Sequence, residues 1–547
     1  MLICGVKTTH DGGVALIDDG RLIFSYEMEK LNNNQRYSKI EDLSIVFDML
    51  AAHGYRPEDV DHFVLDGWYK THKVRAWQGQ EVEVVLAPYR RGLVDPDVLR
   101  PYTYQTQDLS YLSFTHYAGH VASGYATSPF ARAGQGSYVL SWDGWMFPFL
   151  YYIDGATRKA TNCGPALPLI GDCYYQLGQM FPPFDEPIEF PYVLGLAGKI
   201  MAYVALGQAR EEVIEHLDNI TEAAFRDVLG AGKDDDYFYT LENGVKILKQ
   251  VKKNAAVPGV SADDMLTSIH VFLQRKLVEG VRRLVAASAF PGRNLIVVGG
   301  CGLNIKWNSA LRDSGVFDRV WVPPFPNDAG SALGTASAAM LTQTDRASLE
   351  WNVYSGPPLN APEPLPSWEQ QPCTVEELAR ILHEQDEPVV FLHGRAELGP
   401  RALGNRSILA PARSAKMKDL LNEYKERASY RPVAPICLEA RAPEVFAPGS
   451  PDPYMLFDHE VRPEWADRVP AIRHLDGTAR LQTVTADENP VVFELLTAYE
   501  ALSGIPLLCN TSANFNGSGF FPDVRSAMEW GRIRLIWSDG TLYVRGD

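Results

Sequence analysis

The chain has 547 residues, 46% hydrophobic and 22% charged, with a formal net charge of −17. That length exceeds what one hydrophobic core organises, so two or three domains are expected. The acidic balance argues against a long phosphate backbone as the main partner, because such binding needs clustered Lys and Arg, but it leaves room for a local basic site that holds a small anion.

The opening MLICGVKTTHDGG has no basic stretch followed by a long apolar core, so it does not read as a signal peptide. Two strands are expected around its Gly-rich turn and a third after Asp19-Gly20. Residues 112–125 read as a helix. A unit like the first recurs further on: strand Tyr138–Trp142, turn Asp143-Gly144, strand Phe149–Ile153, turn Asp154-Gly155. Two copies of strand, Asp-Gly turn and strand suggest an internal duplication of the actin/Hsp70/sugar-kinase kind, which holds a nucleotide between its halves. A long helical pattern covers residues 260–288. The strand NLIVVGG follows, then a Gly-rich loop at 299–302, a helix from about Ile305, and PPFPNDAGSALGTASAAML, a loop entering a small-residue helix.

Residues 346–372 are rich in Pro and lose periodicity, which marks a linker. Helix, turn and strand resume at TVEELARILHEQDEPVVFLHGR. The expected organisation is therefore a first domain over 1–345 and a second over 373–547. No apolar run reaches the ~18 residues of a membrane span. The seven cysteines (Cys4, Cys163, Cys173, Cys301, Cys373, Cys437, Cys509) form no CxxC pair, which argues against zinc ribbons and disulfide frameworks. A cytoplasmic enzyme is expected, with neither nucleic acid nor membrane as partner; a homodimer is compatible with all of this.

Three constellations carry chemistry. His116 and His120 in THYAGH are four apart in a helical pattern and share a face. This spacing suits a metal as well as two buried, hydrogen-bonded imidazoles. Asp143 and Asp328 sit at loop positions able to add oxygen ligands, a set that suits Fe(II), Mn(II) or Zn(II). The residue after His116 is Tyr117, which excludes an HExxH protease site. The second constellation is the pair of loops GGCGLN and NDAG. Gly300, Gly302, Asn304 and Gly330 there allow backbone N–H groups to approach a nucleotide phosphate, or serve as plain turns. The third is cationic: Arg395, Arg401 and Arg406 amid GP and LGN turns, then Lys425, Arg427 and Arg431 in YKERASYRPVAP, and Arg480 in ARLQTV. Arg forks grip phosphate oxygens and Lys adds a point charge. Asn510 and Ser512 in CNTSANFNG follow an apolar strand and could join them.

GRAELGPRALGNRSILA, YRPVAP, ARLQTV and CNTS occur in this order in the O-carbamoyltransferases of antibiotic and nodulation-factor biosynthesis. So do HDGGVALIDDG, the HxxxH helix, GGCGLN and NDAGSALGTA, and the chain resembles this family over nearly its whole length. The resemblance implies an α/β and α+β fold with an N-terminal TsaD-like domain of the duplicated actin/Hsp70 (ASKHA) type and a C-terminal YrdC-like domain. It implies that the second domain makes carbamoyladenylate from carbamoyl phosphate and ATP (with Mg(II)), and that the first passes the carbamoyl group to a small-molecule alcohol beside a bound metal, often iron. His116, His120 and Asp328 would be metal ligands and Asp143 a direct or outer one. His10 would take the acceptor's proton. Arg401, Lys425, Arg395, Arg431, Arg480, Ser512 and Asn510 would handle carbamoyl phosphate and the nucleotide phosphates. The segment YEMEKLNNNQRYSK and the stretch DGWMFPF depart from the family pattern and are expected to bear on the acceptor. Aromatic residues Tyr37, Trp68, Tyr69, Trp77, Trp142 and Trp145 suit either stacking on a ring or a core. A sugar kinase or ATPase of the same superfold, a carbamoyl-phosphate or nucleotide sensor without turnover, and a tRNA-modifying enzyme are the competing readings.

Overall fold

The computed structural model describes residues 1–31, 37–69, 71–75, 81–91, 97–106, 110–190, 192–229 and 239–546. The chain clusters into two compact units: Met1–Ser25 with Lys39–Asn352, and Tyr26–Ser38 with Val353–Asp547. The YEMEK segment, expected to serve the acceptor domain, thus groups with the second unit.

The first unit is built on two sheets and a small hairpin. Its strands are β1 (Leu2–Lys7), β2 (Gly13–Asp18), β3 (Arg21–Glu27), β4 (His62–Asp66), the hairpin β5 (His72–Arg75) and β6 (Glu81–Val84), β7 (Tyr102–Gln105) and β8 (Ser110–Phe114), then β9 (Ser137–Ser141), β10 (Phe149–Ile153), β11 (Ala160–Pro165), β12 (Asn294–Val298) and β13 (Arg319–Trp321). One sheet has the order β3-β2-β1-β4-β8-β7 and the other β11-β10-β9-β12-β13. In the first, β1 is antiparallel to β2 and parallel to β4. In the second, β9 is antiparallel to β10 and parallel to β12. The repeated order and sense are the duplication that the Asp-Gly turns suggested, and they give the unit the actin/Hsp70 topology. Buried on both faces, these strands read as near-continuous apolar runs.

Two helices of small residues, His116–Thr127 and Ser331–Gln343, pack together on this frame. A Cβ on Gly334 would stand 2.6 Å from the Gly119 carbonyl oxygen, and one on Gly5 would stand 2.1 Å from that of Ala332. The glycines are what let the backbones approach so closely. The first of these helices starts later than its apolar pattern suggested. Residues 110–114 pair with β4 as a strand, and the Thr115 side chain caps the helix by accepting from the Ala118 N–H.

The second unit is built on an eight-stranded sheet of order β14-β24-β23-β15-β16-β22-β17-β21. Its members are β14 (Trp368–Pro372), β15 (Val389–Leu392), β16 (Arg406–Ala410), β17 (Ala434–Leu438), β21 (Gln482–Val484), β22 (Leu507–Ser512), β23 (Leu535–Ser538) and β24 (Thr541–Arg545); β18 (Phe446–Ala447), β19 (His459–Val461) and β20 (Thr478–Ala479) make a smaller sheet. Helices Val375–Gln385 and Pro490–Ser503 pack on each other, and one apolar core joins helices and sheet. The stretch expected as linker holds regular structure in part. Trp368–Pro372 forms the edge strand β14 against β24, and the carbonyls of Ser355, Gly356 and Pro357 accept from arginine side chains. A Pro-rich segment has no helical or strand period to read, yet its extended carbonyls make good acceptors and Pro suits a sheet edge.

Candidate functional site

In the first unit, β1, β4, β8 and β9 deliver side chains beyond their C-terminal ends. Lys7 ends β1, Asp66 ends β4, His116 opens the helix after β8, and Asp143 begins the turn after β9. His116 and His120 face one another with Nε2 atoms 3.1 Å apart. Asp328 Oδ1 lies 3.2 Å from His116 Nε2 and 3.5 Å from His120 Nε2, and Asp143 Oδ2 lies 3.7 Å from His116 Nε2. All four donor atoms fall within 4.8 Å of one another. Ligands bound at about 2.1 Å to one ion stand about 3.0–3.4 Å apart when adjacent, so the donor set and its spacing fit a divalent metal.

The surroundings hold this cluster in place. Asp66 Oδ2 accepts from His116 Nδ1 at 2.8 Å and from Lys7 Nζ at 3.1 Å, and Lys7 Nζ also lies 3.1 Å from Asp328 Oδ2. Asp143 accepts from the Tyr89 hydroxyl and, through Oδ1, from the Gly300 N–H at 2.8 Å. Burial and the Asp328 charge push the Asp143 carboxyl up, but the bond to His116 and the two imidazoles outweigh them and lower it to about 2. Burial opposes ionisation of Asp328 too, yet Lys7 and His116 hold it well below the usual carboxylate range.

His10 lies beside the cluster in the β1–β2 turn. Its Nδ1 is 2.7 Å from Asp11 Oδ2 and its Nε2 is 3.6 Å from Asp328 Oδ2. The Trp68 ring meets His10 edge-on at 5.1 Å and Phe190 does so at 6.0 Å; Tyr69 and Trp145 extend the aromatic group.

In the second unit, the stretch 394–406 is a loop leading into β16. The buried Glu397 carboxylate organises it: Oε1 accepts from the backbone N–H groups of Leu403 (2.6 Å), Asn405 (2.9 Å) and Arg406 (3.1 Å). Arg406 is buried and donates only inward, to the carbonyls of His393, Gly394, Asn405 and Pro357. Arg395 donates to the carbonyls of Gly356 and Ser355. Arg395 and Arg401 are half-buried, whereas Arg406 is fully buried. Beyond the loop, Lys425 Nζ donates to the Ser512 carbonyl at 2.9 Å and to Asn514, while Arg427 reaches Thr511 Oγ1 at 3.0 Å. Arg480 and Arg431 are close enough to repel. Burial first, then the Arg431 charge, lowers Arg480 to about 10. Two guanidinium groups held together in a partly desolvated place favour a shared anion.

The chain matches the carbamoyltransferase N-terminus model over residues 2–337 and the carbamoyltransferase C-terminus model over 379–534. It is 48% identical to nodulation protein U of Rhizobium tropici, over 100% of this chain and 96% of that protein. It is 35% identical to the 3'-hydroxymethylcephem-O-carbamoyltransferase of Amycolatopsis lactamdurans, over 95% of this chain and 94% of that protein. The chain belongs to the carbamoyltransferase family.

As a carbamoyltransferase it is a transferase enzyme, and its sequence-predicted site residues sort into three groups. Brought together in the first unit are His116, His120, Asp143, Asp328 and His10. In the second, Lys425 meets Ser512, and Arg431 lies beside Arg480. The third group makes contacts within the protein itself. The Gly300 N–H is taken by Asp143. The Asn304 side chain caps the following helix by accepting from Trp307 N–H. A Cβ on Gly302 would crowd Pro326, and one on Gly330 would stand 2.5 Å from the Phe325 carbonyl oxygen. Asn510 is buried and donates to Gln482 and the Ala402 carbonyl, which props the Arg401 loop from below. Among the aromatics, Trp142 is core, stacked on Trp307; Tyr37 falls in the segment grouped with the second unit, and Trp77 lies outside the described residues.

Sequence reading missed Lys7, Asp11, Asp66, Glu397 and Asn514. A lysine closing the apolar strand LICGVK and an aspartate closing HFVLD were available signals, since polar residues at the carboxyl ends of parallel strands line sites in α/β folds. Asn514 follows Ser512 in NTSANFN, and nothing local distinguishes it from the neighbouring Asn510 and Asn516.

Proposed function

We propose that this carbamoyltransferase acts in two stages and that its acceptor is a hydroxyl of a sugar-like or fused-ring small molecule. In the second unit, the carbamoyl–phosphate bond of carbamoyl phosphate breaks with water and inorganic phosphate leaves. The carbamate oxygen then attacks the α-phosphorus of ATP and expels pyrophosphate, giving carbamoyladenylate. The observation that supports this reading is the mutual repulsion of Arg431 and Arg480 in the unit that also holds Arg401 and Lys425. These cations suit the dianionic phosphate and the charge that builds as phosphate and pyrophosphate depart. Glu397 keeps the loop donors occupied, so the side chains rather than the loop backbone carry anion recognition.

In the first unit, His10 is the base. Asp11 orients its Nδ1 side, which leaves Nε2 to take the acceptor's proton as the hydroxyl oxygen attacks the carbamoyl carbon and AMP leaves. A divalent metal held by His116, His120, Asp143 and Asp328 would supply a Lewis acid there. Trp145 exposes 43% of its surface next to Trp68 and Tyr69, and Phe190 exposes 61% next to His10, an arrangement suited to stacking on a ring. The name of one relative, 3'-hydroxymethylcephem-O-carbamoyltransferase, supports a ring-bearing alcohol.

The test is incubation of metal-loaded protein with ATP, radiolabelled carbamoyl phosphate and a panel of glycosides, nucleotide sugars and cephems. Pyrophosphate release that requires carbamoyl phosphate, with label in one acceptor, is the expected result. A phosphorylated acceptor would establish a kinase instead, and binding without turnover would establish a sensor.

A further inference from the structure

The second unit contains a short piece of chain from far upstream, and its side chains are spent on the anion-site loops. Lys30 is buried and uses its ammonium fully, donating to Glu27 Oε1 at 2.8 Å, to the Gly399 carbonyl at 2.7 Å and to the Glu397 carbonyl. Glu27 Oε1 in turn accepts from the Gly399 N–H at 2.7 Å. Gly399 has φ +84°, a conformation that only glycine adopts at little cost, so the turn offers its N–H and C=O to the same visitor. Two residues on from this turn is Arg401.

The other side of the segment touches the second loop. Lys30 Nζ lies 5.3 Å from the centre of the Phe520 ring. A Cβ on Gly519 would stand 1.5 Å from the Glu29 carbonyl oxygen, so the two backbones are in direct contact. The 518–521 stretch is tied back to the Lys425 partners: Asn514 Nδ2 donates to the Ser518 carbonyl at 2.7 Å, and the Phe521 N–H donates to that of Ala513 at 2.9 Å. One buried pair therefore joins the Arg401 loop to the Ser512–Asn514 loop.

We propose that Glu27 and Lys30, acting with Glu397, are positioning residues for carbamoyl-phosphate activation: they form a strut that sets the spacing between the loop bearing Arg401 and the loop bearing Ser512 and Asn514. The purpose given to the strut rests on the activation reading of the second unit; its existence does not. A buried ammonium with three acceptors cannot be replaced by water without reorganising all three. Loss of Lys30 leaves Glu27 buried without its cation and frees the carbonyls of Glu397 and Gly399, so the two loops lose their fixed spacing.

The experiment uses the full-length chain and two readouts. The first is carbamoyl-phosphate-dependent exchange of pyrophosphate with ATP. Lys30→Met is expected to raise the KM for carbamoyl phosphate tenfold or more. The double variant Glu27→Gln/Lys30→Met, which leaves no lone buried charge, recovers at least part of that loss. The second readout is hydrogen exchange by mass spectrometry. Peptides over 397–406 should lose protection about tenfold in Lys30→Met while those over 389–392 and 434–438 keep theirs. An unchanged KM, with activity lost only in proportion to unfolded protein, overturns the positioning role. Unchanged protection of 397–406 overturns the strut itself. Wild-type protein with no carbamoyl-phosphate-dependent exchange overturns the activation reading, and the hydrogen-exchange comparison then judges the strut alone.

Discussion

Asp66 Oδ2 accepts from His116 Nδ1 at 2.8 Å, and this bond decides which imidazole nitrogen faces Asp328 and His120. A carboxylate on the far nitrogen raises the basicity of a ligating histidine and fixes its ring plane. Asp66→Asn should lower the affinity for a divalent metal about 10–100-fold. Competition between the protein and a chromophoric chelator measures this directly. An unchanged affinity would show that His116 is a buried partner of Asp328 rather than a ligand.

His10 and Arg401 serve different units and should fail at different steps. Arg401→Ala should abolish carbamoyl-phosphate-dependent pyrophosphate exchange. His10→Ala should leave that exchange intact and reduce carbamate formation by about 10²–10⁴-fold, the usual contribution of a positioned base. Loss of the same step in both variants would sink this division.

Arg406 and Arg401 look alike in GPRALGNR, and the structure separates them. Arg406 donates to four backbone carbonyls and is lowered to about 10, mainly by burial. Arg406→Leu should destabilise the second unit by about 3 kcal/mol, since several buried carbonyls lose their donor together. Arg401 is only half-buried, so Arg401→Ala should cost clearly less than Arg406→Leu. Urea unfolding of the two variants provides the comparison. Equal losses would mean that Arg401 is structural as well.

The sequence made some of this legible for reasons that are physical. Asp143-Gly144 and Asp154-Gly155 mark turns because Gly and Asp tolerate the backbone those turns need, and the strands between them fall where expected. His116 and His120 share a face because four residues make about one helical turn. What the sequence did not disclose depends on distant contacts. No spacing rule joins Lys30 to Gly399, 369 residues away. The GPRALGNR motif looks like a phosphate cradle, yet Glu397 four residues before Arg401 occupies its backbone donors. A local pattern shows which groups could bind an anion; only the fold shows which of them are already bound.

Asp172 carries a prediction about pH. It is buried in the first unit, where its Oδ2 accepts from the Tyr175 hydroxyl at 2.9 Å. Burial is the main cause that raises its carboxyl to about 6; the Tyr175 bond opposes this and the Asp143 charge adds to it. In the unfolded chain an aspartate titrates near 3.9. Between about pH 4 and 6 the folded state therefore holds a proton that the unfolded state has released, so this group's contribution to stability falls as pH rises through that window and is flat above it. Replacing it with Asn keeps an acceptor for Tyr175 and removes the buried charge. Asp172→Asn should leave the stability of metal-free protein nearly unchanged at pH 4 and raise it at pH 7.5 by on the order of 2 kcal/mol. Thermal midpoints of both proteins at the two pH values test this. A gain of equal size at both would mean that packing, rather than the buried carboxylate, is what the substitution changed.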